Sequence, residues 1–320
     1  MSLRANIKQI GLLIGIVSGL LWGLNDVVVK EVSLHITSDL NLINNLIIFS
    51  LALAFIQDLF SCVGITSYHL VSGDFSQKIS QAKNIIILMI FAGIFAGPLG
   101  MVAGIMGISY AGPVYAGVIT SCYPVIALIL SIIFIREKAN LMKIVGIILS
   151  VTAVIFISIQ GEASDTSNIT LGMIFATVAM FGWGAESVLF AYAYKKTFLA
   201  PSFLLAFRQF SSATSYLLIL IVYLIFSENS VINLIINMNT PLLILICALS
   251  AMFSYITYYN AIKYLGPSLG TVFNASFIFW AAIWSLILGI ESVYWTFWIW
   301  GSVLLIGMFV ALNATQNAET

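Results

Sequence analysis

Two stretches decide the fold when they are set side by side: ISYAGPVYAGVITSCYPVIALILSIIFIRE at residues 108–137 and IKYLGPSLGTVFNASFIFWAAIWSLILGIE at residues 262–291. At a constant offset of 154, with no gap, ten of the thirty positions are identical. Tyr110/Tyr264, Gly112/Gly266, Pro113/Pro267, Ser131/Ser285 and Glu137/Glu291 are among them. Apolar sequence of low complexity gives chance Ile and Ala matches. It does not give Tyr-x-Gly-Pro followed 24 residues later by Glu, twice. A second pairing sets LLWGLND (20–26) against FGWGAES (181–187), and so Trp22 against Trp183 and Asn25 against Glu186. The chain reads as a duplication, with one repeat at 1–160 and the other at 161–320.

The repeats lie in sequence that belongs in lipid. Hydrophobic residues make up 61% of the 320 and charged residues only 8%, against roughly 25% charged in an average soluble chain. A water-soluble globule has no means of covering that much apolar surface. A net charge of zero carries no nucleic-acid footprint. Cys62, Cys122 and Cys247 show no paired spacing, so neither a disulfide framework nor a metal site is expected. His35 and His69 fall in short polar connections. Arg4 and Lys8 precede a first apolar run that resembles a signal peptide, but its length and lack of a small-residue cleavage pattern make it a first span.

A helix crosses hydrocarbon in about 20 residues. The apolar runs predict ten spans, near 10–29, 42–65, 84–107, 113–135, 141–160, 170–193, 202–226, 241–262, 268–290 and 294–313. Lysine and arginine test that number, because they gather on the cytoplasmic side. Ten of the twelve fall on one side: Arg4, Lys8, Lys78, Lys83, Arg136, Lys138, Lys143, Lys195, Lys196 and Lys263. Lys30 alone falls on the other, and Arg208 lies within span 7. Both termini are therefore expected in the cytoplasm. Five spans per repeat is an odd number, so the second repeat enters the membrane upside down. The expected class is all-α: a polytopic membrane protein of ten helices in two inverted repeats. Inverted repeats are the architecture of carriers that work by alternating access around a site near the midplane.

The paired five-helix repeats, the Gly-Pro at the start of spans 4 and 9, and the Glu closing each resemble the EamA repeats of the drug/metabolite transporter superfamily. The resemblance covers nearly the whole chain and implies small-metabolite transport. LAFIQDLFS (53–61), FAGPLGMVAGIMGISYAGP (95–113), SCYP (121–124), GWGAES (182–187) and FRQFSSATSY (207–216) are similar to segments of the choline permeases of bacterial lic loci. That likeness implies an aromatic cage for a quaternary amine, with Trp22, Trp183 and Glu186 foremost and Tyr123 next.

The residues themselves leave Glu186 with three roles. An ionised acid at a helix centre costs roughly 2.5–3.5 kcal/mol on the insertion scale, so it faces the bundle interior or water. It could pair with Arg208, carry a coupling proton, or meet a cationic substrate. Aromatic content tilts toward the third. Trp183 lies three residues before Glu186 on the same helix face, as Trp22 does before Asn25. Tyr255, Tyr258 and Tyr259 form one face of span 8. Tyr123, Asn274 and Trp280 come from spans 4 and 9. A quaternary ammonium has no N–H to donate and is held by ring faces and negative charge. The substrate-binding candidates are these ten: Trp22, Asn25, Tyr123, Trp183, Glu186, Tyr255, Tyr258, Tyr259, Asn274 and Trp280. Asp26, Arg208, Glu137 and Glu291 are candidates for ion pairing or gating, with Asp26 also readable as ordinary helix-end solvation.

Gly11, Gly15, Gly19 and Gly23 make a smooth stripe on span 1. Gly93, Gly97, Gly100 and Gly104 make another on span 3, where Pro98 predicts a kink. They read either as static packing or as sliding surfaces. No HExxH, paired-aspartate or Walker motif is present, so neither an enzyme nor an ATP-driven pump is expected, and no cofactor or metal. The expected partners are a small cationic substrate such as choline and the lipid bilayer, with no nucleic acid; a homodimer is admitted. The alternative cargo is an exported aromatic amino acid or another small metabolite.

Overall fold

The computed structural model describes residues 3–37, 43–73, 75–159, 168–226, 241–290 and 295–317. Among the described residues the regular structure is helical throughout, with no strand. Ten segments are long and apolar enough to cross a bilayer. In chain order, spans 1–5 are Gln9–Val32, Ile48–Val71, Ile86–Ala111, Tyr115–Ile135 and Leu141–Ser158. Spans 6–10 are Ile169–Thr197, Pro201–Ile225, Pro241–Leu265, Pro267–Ile287 and Trp295–Ala314. This is an all-α polytopic membrane fold, in which every backbone polar group inside lipid can be satisfied within its own helix.

Two features differ from the hydropathy reading. The helix of span 2, Ile43–Val71, runs on past residue 65, because Val63, Ile65, Leu70 and Val71 carry the apolar run past Ser67 and His69. His69 therefore sits inside a helix, buried, with Nε2 3.0 Å from Ser202 Oγ. Between spans 3 and 4, helical backbone continues from Ala103 to Thr120 through Gly112-Pro113. The break falls instead at Ser121–Cys122, ahead of the helix Tyr123–Ile135. The other Gly-Pro does start a helix: Gly266 has φ +82° and precedes Pro267–Ala275. Only glycine suits it, since that φ is left-handed and a Cβ would stand 2.7 Å from Glu137 Oε1.

Pro98, which lacks an amide hydrogen, sits in a widened turn of span 3. Gly97–Val102 form a π-helical turn, and Ala103 N–H reaches back to the carbonyls of Gly100 and Pro98. Such turns insert one residue into an otherwise α-helical run.

Packing between spans comes in matched sets. Span 1 lies on span 8 as span 6 lies on span 3, span 1 on span 9 as span 6 on span 4, and span 2 on span 8 as span 7 on span 3. Spans 2 and 7 pair with each other, as do spans 5 and 10. The glycine stripes make this closeness possible. A Cβ on Gly23 would lie 2.6 Å from Ala281 N, and one on Gly19 would lie 2.7 Å from Phe273 O, so span 1 rides directly on the span 9 backbone.

Candidate functional site

The buried charges converge. Glu186 from span 6 and Asp58 from span 2 both reach Arg208 of span 7, and all three side chains are at most 4% exposed. Arg208 Nε donates to Glu186 Oε1 at 2.9 Å and Nη1 donates to Asp58 Oδ2 at 3.2 Å. Nη1 also meets the side-chain carbonyl of Gln209, whose amide donates to Ser61 Oγ at 3.0 Å. Ser212 donates its hydroxyl to the same Asp58 oxygen. Helical spacing accounts for these sets. Asp58 and Ser61 are three apart on span 2, and Arg208 and Ser212 are four apart on span 7, so each pair shares a face. With both carboxylates ionised, the cluster holds two negative charges against one positive.

Aromatic groups close over it. Tyr259 OH donates to Glu186 Oε1 at 2.8 Å, and the Arg208 guanidinium carbon lies 4.6 Å from the centre of the Tyr255 ring. Trp22 of span 1 contacts the same tyrosine, with ring centroids 5.2 Å apart and planes at 53°. Tyr258 stands edge-on to Tyr259 at 5.8 Å. Spans 1, 2, 6, 7 and 8 thus meet at one polar point inside the membrane.

Tyr123, Trp183 and Asn274 form a second group beside the first. Tyr123 OH donates to Thr271 O at 3.1 Å and lies 2.9 Å from Asn274 Oδ1. Asn274 Nδ2 continues to Ser18 Oγ at 3.1 Å on span 1. The Trp183 ring meets Tyr123 edge-on at 5.9 Å and lies along the bare face of span 3. A Cβ on Gly100 would come within 2.5 Å of Trp183 Cδ1, so the glycine makes room for the indole.

Four other candidates stand apart. Asn25 Nδ2 donates to Cys247 O at 2.8 Å and to Ser250 Oγ at 3.2 Å, clipping span 1 to span 8. Trp280 packs on the span 1 stripe beside Gly19 and Gly23. Asp26 is exposed near the end of span 1. Glu137 takes Lys143 Nζ at 2.7 Å and Ser268 Oγ at 2.6 Å on Oε1, tying spans 4, 5 and 9, while its buried Oε2 has no hydrogen-bond partner among the described residues. Glu291 lies outside the described residues.

The sequence reading missed Asp58, Ser61, Gln209 and Ser212. Gln57-Asp58 interrupts the apolar helix Ile43–Val71 as plainly as Glu186 interrupts its own, and that interruption is the signal.

Comparison with known proteins places this architecture. Residues 9–159 match the EamA-like transporter family. The chain is 28% identical over 273 residues to Protein LicB of Haemophilus influenzae, an alignment covering 85% of this chain and 86% of that one. A solved crystal structure superposes with a TM-score of 0.71 at 14% identity, covering 97% of this chain and 99% of the other. That last likeness speaks for the fold alone.

Proposed function

We propose that the cargo of this chain, a membrane transporter rather than an enzyme, whose residues 9–159 match the EamA-like transporter family, is choline or a similar small quaternary amine. One arrangement carries the reading. Trp22 lies against Tyr255, whose ring face meets Arg208, at a point where two buried carboxylates, Asp58 and Glu186, outnumber that single guanidinium. A cation without N–H groups is attracted to aromatic faces and to diffuse negative charge, by about 2 kcal/mol or more per ring once desolvated. Tyr123 and Trp183 are the second wall of the same site in this reading.

The matched packing sets support transport by alternating access, in which exchanging the roles of the two five-span groups opens the opposite side. The protein then lies in the cell (inner) membrane with both termini in the cytoplasm and admits a homodimer. A fluorescent protein fused after Thr320 tests the topology, since it folds and emits only on the cytoplasmic side. The alternative cargo, an exported aromatic amino acid or similar metabolite, needs Arg208 free to meet a carboxylate. Two carboxylates and Tyr255 already engage it, which favours the cation.

The test is a thermal-shift panel of purified protein with choline, betaine, carnitine, tetramethylammonium, phenylalanine and tryptophan. A ligand at 100 times its Kd adds roughly 2.7 kcal/mol to the native state. Stabilisation by choline and tetramethylammonium alone supports the reading; stabilisation by the aromatic amino acids instead replaces it.

A further inference from the structure

The cation site just proposed already contains a cation. Arg208 lies against the Tyr255 ring at 4.6 Å, donates to Glu186 at 2.9 Å and is buried among the spans. Ring face and carboxylate are the two partners a quaternary ammonium requires, and Trp22 lies against the same Tyr255. Arg208 is also tethered to a second carboxylate, Asp58, through Nη1 at 3.2 Å.

Resting on the cargo reading above, we propose that Arg208 is a built-in stand-in for the substrate, filling the site when the carrier is empty and withdrawing onto Asp58 when the substrate arrives. The physical need is clear. A carrier that releases a cation and returns empty would have to carry Glu186 through hydrocarbon with no counterion, which burial makes costly. With Arg208 on Glu186 and Tyr255, the empty site is paired. On loading, the incoming cation takes Glu186 and the ring, and Asp58 keeps Arg208 paired, assisted by Gln209 and Ser212. Both end states therefore leave every guanidinium and carboxylate of the cluster with an opposite charge. The arrangement also sets affinity, because the substrate binds only the fraction of molecules from which Arg208 has withdrawn.

The experiment compares two fluxes of radiolabelled choline in vesicles reconstituted with the full chain: net uptake into empty vesicles, and exchange against choline inside. Exchange never returns an empty carrier; net uptake does. Arg208→Gln should bind choline more tightly and should lower net uptake about tenfold more than exchange, the loss expected if an unpaired site reorients from a minor state. Equal losses of both fluxes, or none, would overturn the proposal. Arg208→Lys guards against a Gln variant that does not fold. It keeps a mobile cation but loses the planar fork that grips both carboxylates, so choline should bind more tightly with net uptake retained; weaker binding would overturn the proposal. The wild-type arm separates this from the cargo reading, which fails by itself if wild-type protein neither binds nor exchanges choline.

Discussion

Asn25 and Glu186 each stand two residues after a Trp-Gly pair, and each reaches span 8, yet the molecule uses them differently. Asn25 donates its amide to a backbone carbonyl and a serine hydroxyl, and that satisfies it. Glu186 needs a guanidinium and a phenol, and the guanidinium in turn needs Asp58. A neutral side chain at this position closes a local contact between two helices. A charged one recruits three more spans. Architecture comes from what the two repeats share, and chemistry from the positions where they differ.

The contrast can be broken most severely at Asp58. Removing one partner of a buried ion pair costs roughly 3–5 kcal/mol; because Arg208 keeps Glu186, Asp58→Asn should fall near the lower figure, seen as a clear drop in apo-protein melting temperature. A drop no larger than that of Asn25→Ala would erase the distinction between charged and neutral positions.

Glu186→Gln comes next and is read in ligand affinity. Losing a charge-assisted contact should weaken choline by about 1.5–3 kcal/mol, roughly 10–150-fold, while expression and detergent monodispersity hold. Unchanged affinity in calorimetry would put the cation elsewhere.

Trp22 sharpens the comparison because its counterpart Trp183 packs against Gly100 and Tyr123 instead of Tyr255. Trp22→Leu should cost about 0.5–2 kcal/mol of choline binding and Trp22→Phe clearly less. Equal losses would mean that the ring contributes bulk rather than its face.

The smallest effect belongs to Asn25→Ala, with about 1 kcal/mol lost from stability through the missing hydrogen bonds and choline affinity unmoved. A large affinity loss there would return Asn25 to the binding site.

The ten spans and their all-helical class were legible because hydropathy and length are properties of short windows, and the lysine and arginine distribution checks their number independently. Glu186 and Arg208 were legible as anomalies, since a charge in lipid demands an explanation wherever it lies. Asp58 is the same kind of anomaly and was passed over: a tally of lysine and arginine weighs no carboxylates, and it lay in a segment noted only for its likeness to other proteins. Trp280 shows the opposite difficulty. An aromatic on a helix aimed inward looks the same in sequence whether it lines a cavity or fills a glycine stripe. The 2.8 Å between its Cβ and the place where a Gly23 Cβ would stand is a contact that no reading of the sequence supplies. The break at Ser121–Cys122, rather than at Gly112-Pro113, escaped for a related reason: glycine and proline permit a chain to turn but do not oblige it to.

The π-helical turn at Gly97–Val102 has a consequence best put in genetic terms. It amounts to one codon. An in-frame deletion of a single residue there would let the turn relax to ordinary α-helix, with its hydrogen bonds intact and the span still long enough for the bilayer. The wide turn absorbs its extra residue, so the helix on either side would keep its facing. Gly104 would stay against the indole of Trp183, and Gly107 against the backbone of Ala176. Random deletion libraries should therefore tolerate a lost residue here, whereas a deletion in the ordinary α-helix of the same span would turn its far half by about 100° and carry both glycines off their partners.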